Sequence, residues 1–246
     1  MTALKIRYYH LSSCTSTNTW AKEHAHEFAK NEVTAITADE QTHGRGRYAR
    51  VWHSPAHTNL YLSLAFFLED ANIKPFALCQ LASLTLEEFL QIHGITAKIK
   101  WPNDLLVNGK KIVGVLTERT EVDNVPFIVL GIGLNVNMNA EQLAEIPQSV
   151  TSMFMEKNHT FSLDAVKEFY VRLFVKRLEE AKANNFANVW GHWQKSLQWM
   201  LEQPVCIQTT AKRLQGKVIA LQGDGSLLLE GPDGAQHTIQ SADVNL

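Results

Sequence analysis

The dipeptide Asn108-Gly109 constrains this chain more than any other local feature, because it sits between two strand-like runs at residues 105–107 and 110–117. A two-residue type I′ turn needs positive φ at both central positions, and Asn-Gly meets that need at the lowest steric cost. The pair therefore predicts an antiparallel hairpin, and other strands have to be fitted around it. Strand patterns also cover residues 5–11, 34–38, 59–68, 95–101 and 125–136, the last interrupted by Gly131 and Gly133. Between them lie helical patterns. Residues 16–29 place Trp20, His24 and Phe28 at i, i+4 spacing. Pro75 opens a second helix, in which Leu78, Leu81, Ala82, Thr85, Phe89 and Ile92 follow the 3.6-residue period, and Gly94 ends it. Ser162 reads as an N-cap, with Phe161 and Val166 placed as a hydrophobic staple, for a helix running to about Ala183. A shorter helix over 188–197 is rich in tryptophan. After Pro204 the helix signal disappears and short strands are separated by Asp224-Gly225 and Asp233-Gly234. The expectation is an α+β chain: a mixed β-sheet domain flanked by helices over 1–202, then a small all-β domain over 203–246.

Composition excludes several classes. Lys plus Arg number 23 and Asp plus Glu 25, so a net charge of −2 supplies no global field for nucleic acid or an anionic membrane. The apolar run at 60–68 is far shorter than the roughly 20 residues of a membrane helix, and residues 1–7 contain no signal-peptide core. Cys14, Cys79 and Cys206 are isolated, which argues against a disulfide framework or a structural zinc site. The expected compartment is the cytoplasm.

Four stretches could carry chemistry. In Gln41-Thr42-His43-Gly44-Arg45-Gly46-Arg47-Tyr48-Ala49-Arg50-Val51-Trp52, three arginines stand in a span free of acids from Gln41 through Leu68. Glycines let a backbone approach a ligand, and arginine forks onto phosphate or carboxylate. With no acid inside the loop to neutralise Arg45, Arg47 and Arg50, the loop is expected to be mobile and to order around an anionic ligand. A solvated basic loop or an RNA-contacting arginine–glycine segment fits the same composition. The second stretch, Lys100-Trp101-Pro102-Asn103-Asp104, is followed by the hairpin and Lys111. Lys111 leads into an apolar strand, where a lysine must snorkel outward or meet an anion, unless it is an ordinary hairpin lysine. Asp104 could orient that lysine, bind magnesium or cap the turn. In the third, Gly131-Ile132-Gly133-Leu134-Asn135, the sequence continues as strand, so a dinucleotide fingerprint fails and the glycines mark a bulge or a close approach. The fourth, Ser16-Thr17-Asn18, offers either a helix cap or donors to a polar head group. The scattered histidines form no hydrolase set. Trp190, Trp193 and Trp199 are expected to pack a helix onto the core, and Cys79 to be buried and inert.

Taken in this order, Ser16-Thr17-Asn18, Gly44-Arg45-Gly46-Arg47, Lys100-Trp101-Pro102-Asn103-Asp104, Lys111-Ile112-Val113-Gly114 and Gly131-Ile132-Gly133-Leu134-Asn135 resemble the biotin–protein ligases. The region after Pro204 is similar to that family's SH3-like C-terminal domain. The resemblance implies that biotin reacts with ATP, in the presence of Mg2+, to give biotinyl-5′-AMP, and that biotin then passes to a lysine of a biotin carboxyl carrier protein. It implies biotin contacts from Ser16, Thr17, Asn18, Gln41, Arg45, Gly46, Arg47 and Lys111. It implies nucleotide contacts from Arg47, Arg50, Trp52, Asn103, Lys111 and Asn135. Lys111, Arg47, Asp104 and Lys100 are the candidate catalytic residues, and no residue is assigned as a metal ligand. Some bacterial members carry an N-terminal helix-turn-helix domain. Ser16 lies too early in this sequence for one, so the expectation is a monofunctional ligase with neither nucleic-acid nor membrane partners. A homodimer is left open. The rival readings are a lipoate–protein ligase of related fold and, in another class, an RNA-binding protein using the arginine loop.

Overall fold

The computed structural model describes residues 4–68, 70, 73–209 and 213–245. Residues 1–3 of the expected signal-free N-terminus and residues 210–212 and 246 of the expected β-domain lie outside them. A seven-stranded sheet contains β1 (Lys5–Cys14), β2 (Glu32–Gln41), β3 (Leu60–Phe67), β4 (Lys98–Lys100), β5 (Asp104–Val107), β6 (Lys110–Val122) and β7 (Val125–Leu134), in the order β1-β2-β3-β7-β6-β5-β4. β1 and β2 are parallel, joined through α1 (Thr17–Glu23), and the other neighbours are antiparallel.

Alternation along the central strands divides the apolar side chains between two faces. Leu60, Leu62, Leu64 and Phe66 of β3, with Ile128, Leu130, Ile132 and Leu134 of β7, pack with α2 (Pro75–Ile92), α5 (Leu163–Ala183) and α6 (Ala187–Leu197). Ala65, Phe67, Phe127 and Val129 face the other way, onto Ala21 of α1 and onto Ala25 and Phe28. β3 is buried along its whole length because both faces are covered. The Ser162 hydroxyl accepts from the Ala165 N–H, as the N-cap expectation requires. Trp193 is fully buried, and Trp199 Nε1 donates to the Ile99 carbonyl at 2.9 Å, so these two tryptophans serve packing. Cys79 is buried, and burial pushes its thiol up to about 11.

Several boundaries differ from the sequence expectation. The helix expected over 16–29 ends at Glu23; a single 3-10 turn, Ala25–Glu27, follows and Phe28 is extended. The strand expected over 95–101 keeps only Lys98–Lys100. β6 continues to Val122 and turns back through Asp123 and Asn124, both at positive φ (50° and 61°). Their short polar side chains tolerate the left-handed region, so this second hairpin forms without a glycine. Two short helices, α3 (Ala140–Ala144) and α4 (Met153–Lys157), complete the helices; each is opened by a side-chain cap, Asn139 and Ser152 respectively.

The chain after α6 forms a five-stranded antiparallel sheet from β8 (Pro204–Gln208), β9 (Arg213–Leu221), β10 (Leu227–Glu230), β11 (Gln236–Ile239) and β12 (Asp243–Asn245), in the order β11-β10-β9-β8-β12. Its Val205, Ile207, Val218, Leu227 and Leu229 join the larger core. The turn at Gly225 (φ +88°) meets the first sheet, where Trp101 Nε1 donates to the Gly225 carbonyl at 2.9 Å. No helix among the described residues is long and apolar enough to cross a membrane.

Candidate active site

The α1 face of the large sheet changes character along its length. Where Phe67, Phe127 and Val129 fill it, the face is core. Further along, the cross-strand rows become Ser63, Gly131 and Leu116, then Tyr61, Gly133 and Gly114. Against this stretch lies a cavity of about 880 Å³ whose lining includes Gly114, Leu116, Gly131 and Gly133. The pairing of β7 with β3 and β6 runs without a bulge, so the glycines serve close approach. What approaches is protein. A Cβ on Gly133 would lie 2.3 Å from Trp52 Cε2, one on Gly114 2.8 Å from Trp52 Cζ3, and one on Gly131 2.5 Å from Asn18 Oδ1.

Beside this floor the polar side chains at the start of α1 are buried and linked. The Thr17 N–H donates to Gln41 Oε1 at 2.9 Å, and Gln41 Nε2 donates to Ser54 Oγ at 3.1 Å. Ser63 Oγ sits 2.8 Å from Thr17 Oγ1 and 2.5 Å from Asn18 Oδ1. Asn18 Nδ2 donates to Glu118 Oε2 at 2.8 Å. Ser16 occupies the N-cap position of α1, yet its side chain makes no capping hydrogen bond. Capping therefore does not explain it.

Glu118 ties this network to the arginine loop. Its carboxylate also receives Lys22 Nζ at 2.8 Å and Arg45 Nη2 at 3.1 Å. Burial pushes the Glu118 carboxyl up, but hydrogen bonds from Lys22 and Asn18 and the charges of Lys22 and Arg45 outweigh burial and hold it below the usual carboxylate range.

The 44–52 loop is a small hairpin: Trp52 N donates to the Gly44 carbonyl at 2.8 Å and Gly46 N to the Arg50 carbonyl at 2.7 Å. At its tip Tyr48 and Ala49 both have positive φ (55° and 56°). No acid inside the loop neutralises its arginines, as expected, but two of them find carboxylates outside it. Arg45 pairs with Glu118, and Arg50 forms an ion pair with Asp243 of β12. Arg47 Nη1 donates to the Ala242 carbonyl at 3.1 Å and to Asn103 Oδ1 at 3.4 Å, while its Nη2 donates to Ser241 Oγ at 2.5 Å. A count of acids within the loop could not reveal carboxylates brought in from β6 and β12.

Across the cavity, Lys111 Nζ lies 2.8 Å from Asp104 Oδ1 and 5.2 Å from the centre of the Trp52 ring. Asp104 pairs directly opposite Gly114. Between Leu105 and Leu106 the register shifts, so that Leu106 faces Lys111. This two-against-one bulge sends both Ile112 and Val113 into the helix-covered core and gives the next cavity-side position to Lys111. The Lys111–Asp104 ion pair is the contact that the lysine-orienting reading of Asp104 requires. Burial lowers the pKa of Lys100; Asp104 and Asp243 oppose that shift, and Lys111 and Arg50 reinforce it. Asn103 Nδ2 donates to the Val115 carbonyl at 2.6 Å, and Asn135 Nδ2 donates to the Thr151 carbonyl at 3.0 Å. Both amides thus hold the cavity walls.

The cavity brings together every site residue expected from the sequence: Ser16, Thr17, Asn18 and Gln41 from α1 and β2; Arg45, Gly46, Arg47, Arg50 and Trp52 from the loop; Lys100, Asn103, Asp104, Lys111 and Asn135 from the strands and their ends. Sequence reasoning missed Ser63 and Glu118, which anchor the buried network, and Asp243 and the 145–150 segment, which line the cavity. The strand expected over 110–117 stopped short of Glu118, so neither its facing nor its partners were legible.

Residues 11–135 match the family described as Biotin/lipoate A/B protein ligase. The chain is 34% identical over 228 residues to the bifunctional ligase/repressor BirA of Bacillus subtilis, which spans 90% of this chain and 70% of that protein. It is 28% identical over 215 residues to the biotin–[acetyl-CoA-carboxylase] ligase of Paracoccus denitrificans, covering 85% of this chain and 88% of that one. Among solved structures, biotin protein ligase from Aquifex aeolicus in complex with biotin and ATP matches with a TM-score of 0.77 at 27% identity, over 97% of each chain. Sequence similarity and shared fold thus extend well beyond the motifs, and this chain belongs to the biotin/lipoate A/B protein ligase family.

Proposed function

We propose that the chain is a biotin–[biotin carboxyl-carrier protein] ligase that forms biotinyl-5′-AMP from biotin and ATP and passes biotin to a carrier lysine. The observation that carries this reading is a single cavity joining buried amide and hydroxyl groups around Thr17 and Asn18 to five cationic side chains: Arg45, Arg47, Arg50, Lys100 and Lys111. One kind of surface suits an uncharged polar ring system, and the other suits a carboxylate meeting a polyphosphate. The solved Aquifex aeolicus relative holds biotin and ATP together.

In the first step a biotin carboxylate oxygen attacks the α-phosphorus of ATP, and the bond to the β-phosphate oxygen breaks with release of pyrophosphate. Two anions must meet, so the rate depends on donors fixed where charge develops. The reading gives that role to Lys111, and the Asp104 carboxylate 2.8 Å from its ammonium supports it. Arg47, Arg50 and Lys100 supply further positive charge. In the second step the carrier's ε-amine attacks the acyl carbon of the anhydride, AMP leaves with the bonding pair, and the amine loses a proton. No enzyme nucleophile is needed in either step. Mg2+ enters bound to the phosphates of ATP as part of the substrate.

The reading assigns biotin to Ser16, Thr17, Asn18, Gln41, Arg45, Gly46, Arg47 and Lys111, and the nucleotide to Arg47, Arg50, Trp52, Asn103, Lys111 and Asn135. It treats 1–202 as the catalytic unit and 203–246 as an accessory domain. It includes no nucleic-acid role, in keeping with the net charge of −2 and with Arg45 and Arg50 being paired inside the chain. The test is biotin-dependent exchange between ATP and labelled pyrophosphate, with lipoate in parallel. Exchange driven by biotin and not by lipoate is expected. Exchange driven by lipoate alone would move the chain to the other branch of the family, and none with either would remove the ligase reading.

A further inference from the structure

The 44–52 loop is fastened to the C-terminal sheet at two neighbouring points. Arg47 donates to Ser241 Oγ and the Ala242 carbonyl, and Arg50 pairs with Asp243. Strand alternation fixes the second contact. Ala242 and Val244 are buried in the sheet's core, so the intervening Asp243 faces the opposite way, toward the loop. Its backbone is held opposite Gln208 by pairing of β12 with β8. The carboxylate is therefore a fixed point, while the arginine it holds stands on a glycine-containing loop.

Resting on the ligase reading above, we propose that Asp243 is a positioning residue: through Arg50 it sets the closed arrangement of the 44–52 loop, so that the C-terminal sheet decides how the loop arginines meet the nucleotide. A guanidinium carries five N–H donors in a rigid fork, so Arg50 can hold Asp243 and an anion in the cavity at once. Asp243 itself acts on the reaction only through that arginine. The Gly225 turn fastens the same sheet to Trp101, next to Lys100, so the sheet touches both cation-bearing segments of the site.

The experiment compares Asp243→Asn, the conservative Asp243→Glu, and Glu230→Gln as a control that removes one charge from an exposed position on the same sheet. Two readouts are used in the full-length protein: tryptic cleavage within the loop at Arg45, Arg47 and Arg50, and the KM for ATP against kcat in pyrophosphate exchange. Asp243→Asn is expected to speed loop cleavage about fivefold and to raise the KM for ATP by a similar factor, the size of effect given by losing a partly exposed ion pair. Its melting temperature should match that of Glu230→Gln. Asp243→Glu should recover part of both effects. Added salt should narrow the gap between wild type and Asp243→Asn by screening the pair in wild type. Unchanged loop cleavage and unchanged KM in Asp243→Asn would overturn the proposal, as would equal losses in Asp243→Asn and Glu230→Gln. Loop cleavage needs no substrate, so it still decides the latch if wild type shows no biotin-dependent exchange and the ligase reading itself fails.

Discussion

The cavity floor lies on three adjacent strands and is held by buried hydrogen bonds, whereas the 44–52 loop beside it is held by charges drawn from distant parts of the chain. On the floor, Thr17, Asn18 and Ser63 are nearly inaccessible and satisfy one another. In the loop, Arg50 is half exposed, and Tyr48 and Ala49 adopt backbone angles that L-residues disfavour. Buried networks of this kind specify one geometry, since breaking a member leaves an unpaired polar group. Exposed ion pairs are individually weak and sensitive to salt. Recognition of a constant ring system suits the first construction. A wall that must admit two substrates in turn and release products suits the second.

The largest effect is expected at Lys111, whose ammonium lies between Asp104 and the Trp52 ring. Lys111→Ala should lower biotin-dependent pyrophosphate exchange by about 10²–10³-fold while circular dichroism and melting temperature stay close to wild type. Lys111→Arg should restore little, because a planar fork does not replace a compact ammonium beside Asp104. Near-normal exchange in a folded Lys111→Ala protein would end the assignment of Lys111 as the main charge-stabilising group.

A pair of glycine substitutions separates the floor, where Trp52 lies against it, from the exposed end of the loop. Gly133→Ala would place its Cβ within 2.6 Å of three Trp52 ring atoms, whereas a Cβ on Gly46 meets only the Arg50 carbonyl, at 3.8 Å. Gly133→Ala should therefore cost about 1–3 kcal/mol in urea denaturation and shift the tryptophan emission, while Gly46→Ala should be close to neutral. Equal losses would show that the loop packs as tightly as the floor.

Glu118 spans both regions, and its lowered pKa sets the sign of a pH effect. Its ionised form is favoured by folding, so the stability it contributes is complete above the ordinary value of 4.5 and is lost as the pH falls through the lowered one. Wild type should exceed Glu118→Gln in unfolding free energy by about 1–2 kcal/mol at pH 7. The gap should shrink on acidification below pH 4.5. A gap that stays constant down to pH 3 would mean that the charge of Glu118 contributes nothing beyond its shape.

The smallest effect is expected at the loop tip. Ala49→Gly relieves a left-handed backbone angle and should raise stability by up to about 1 kcal/mol, offset in part by the freer unfolded chain. That corresponds to a rise in melting temperature of no more than about 2–4 °C. A fall would show that the Ala49 methyl makes a contact worth more than the strain.

Much of the fold was legible because its signals are local. Asn108-Gly109 marked its hairpin, Pro75 and Gly94 bounded a helix, and Ser162 capped another. The failures share one cause. Ile95, Thr96 and Ala97 look like strand, yet ladder pairing with β5 begins only at Lys98, opposite Leu106. Beyond Thr117, β6 turns polar on its exposed side, and only pairing with β7 keeps it extended to Val122. The site residues were found because they cluster in short motifs. Ser63 and Glu118 stand alone in strands, and nothing in their neighbours' identities distinguishes a buried hydrogen-bond partner from an ordinary strand serine or glutamate.

The sequence by itself determined the order of the main strands and long helices, the all-β character of the C-terminal segment, and the residue types from which the site is made. Each follows from periodicity, turn chemistry or motif within a few residues. Tertiary structure alone decided which face of the sheet carries the cavity, through the alignment of Gly114, Gly131 and Gly133 across strands that pair at long range. It also decided that Lys111 points into that cavity, because one bulge against β5 shifts the alternation by a residue. And it decided that the loop arginines are paired, because Glu118 and Asp243 reach them only when β6 and β12 are folded into place. Charges and side-chain faces are fixed by register, and register depends on the partner strand.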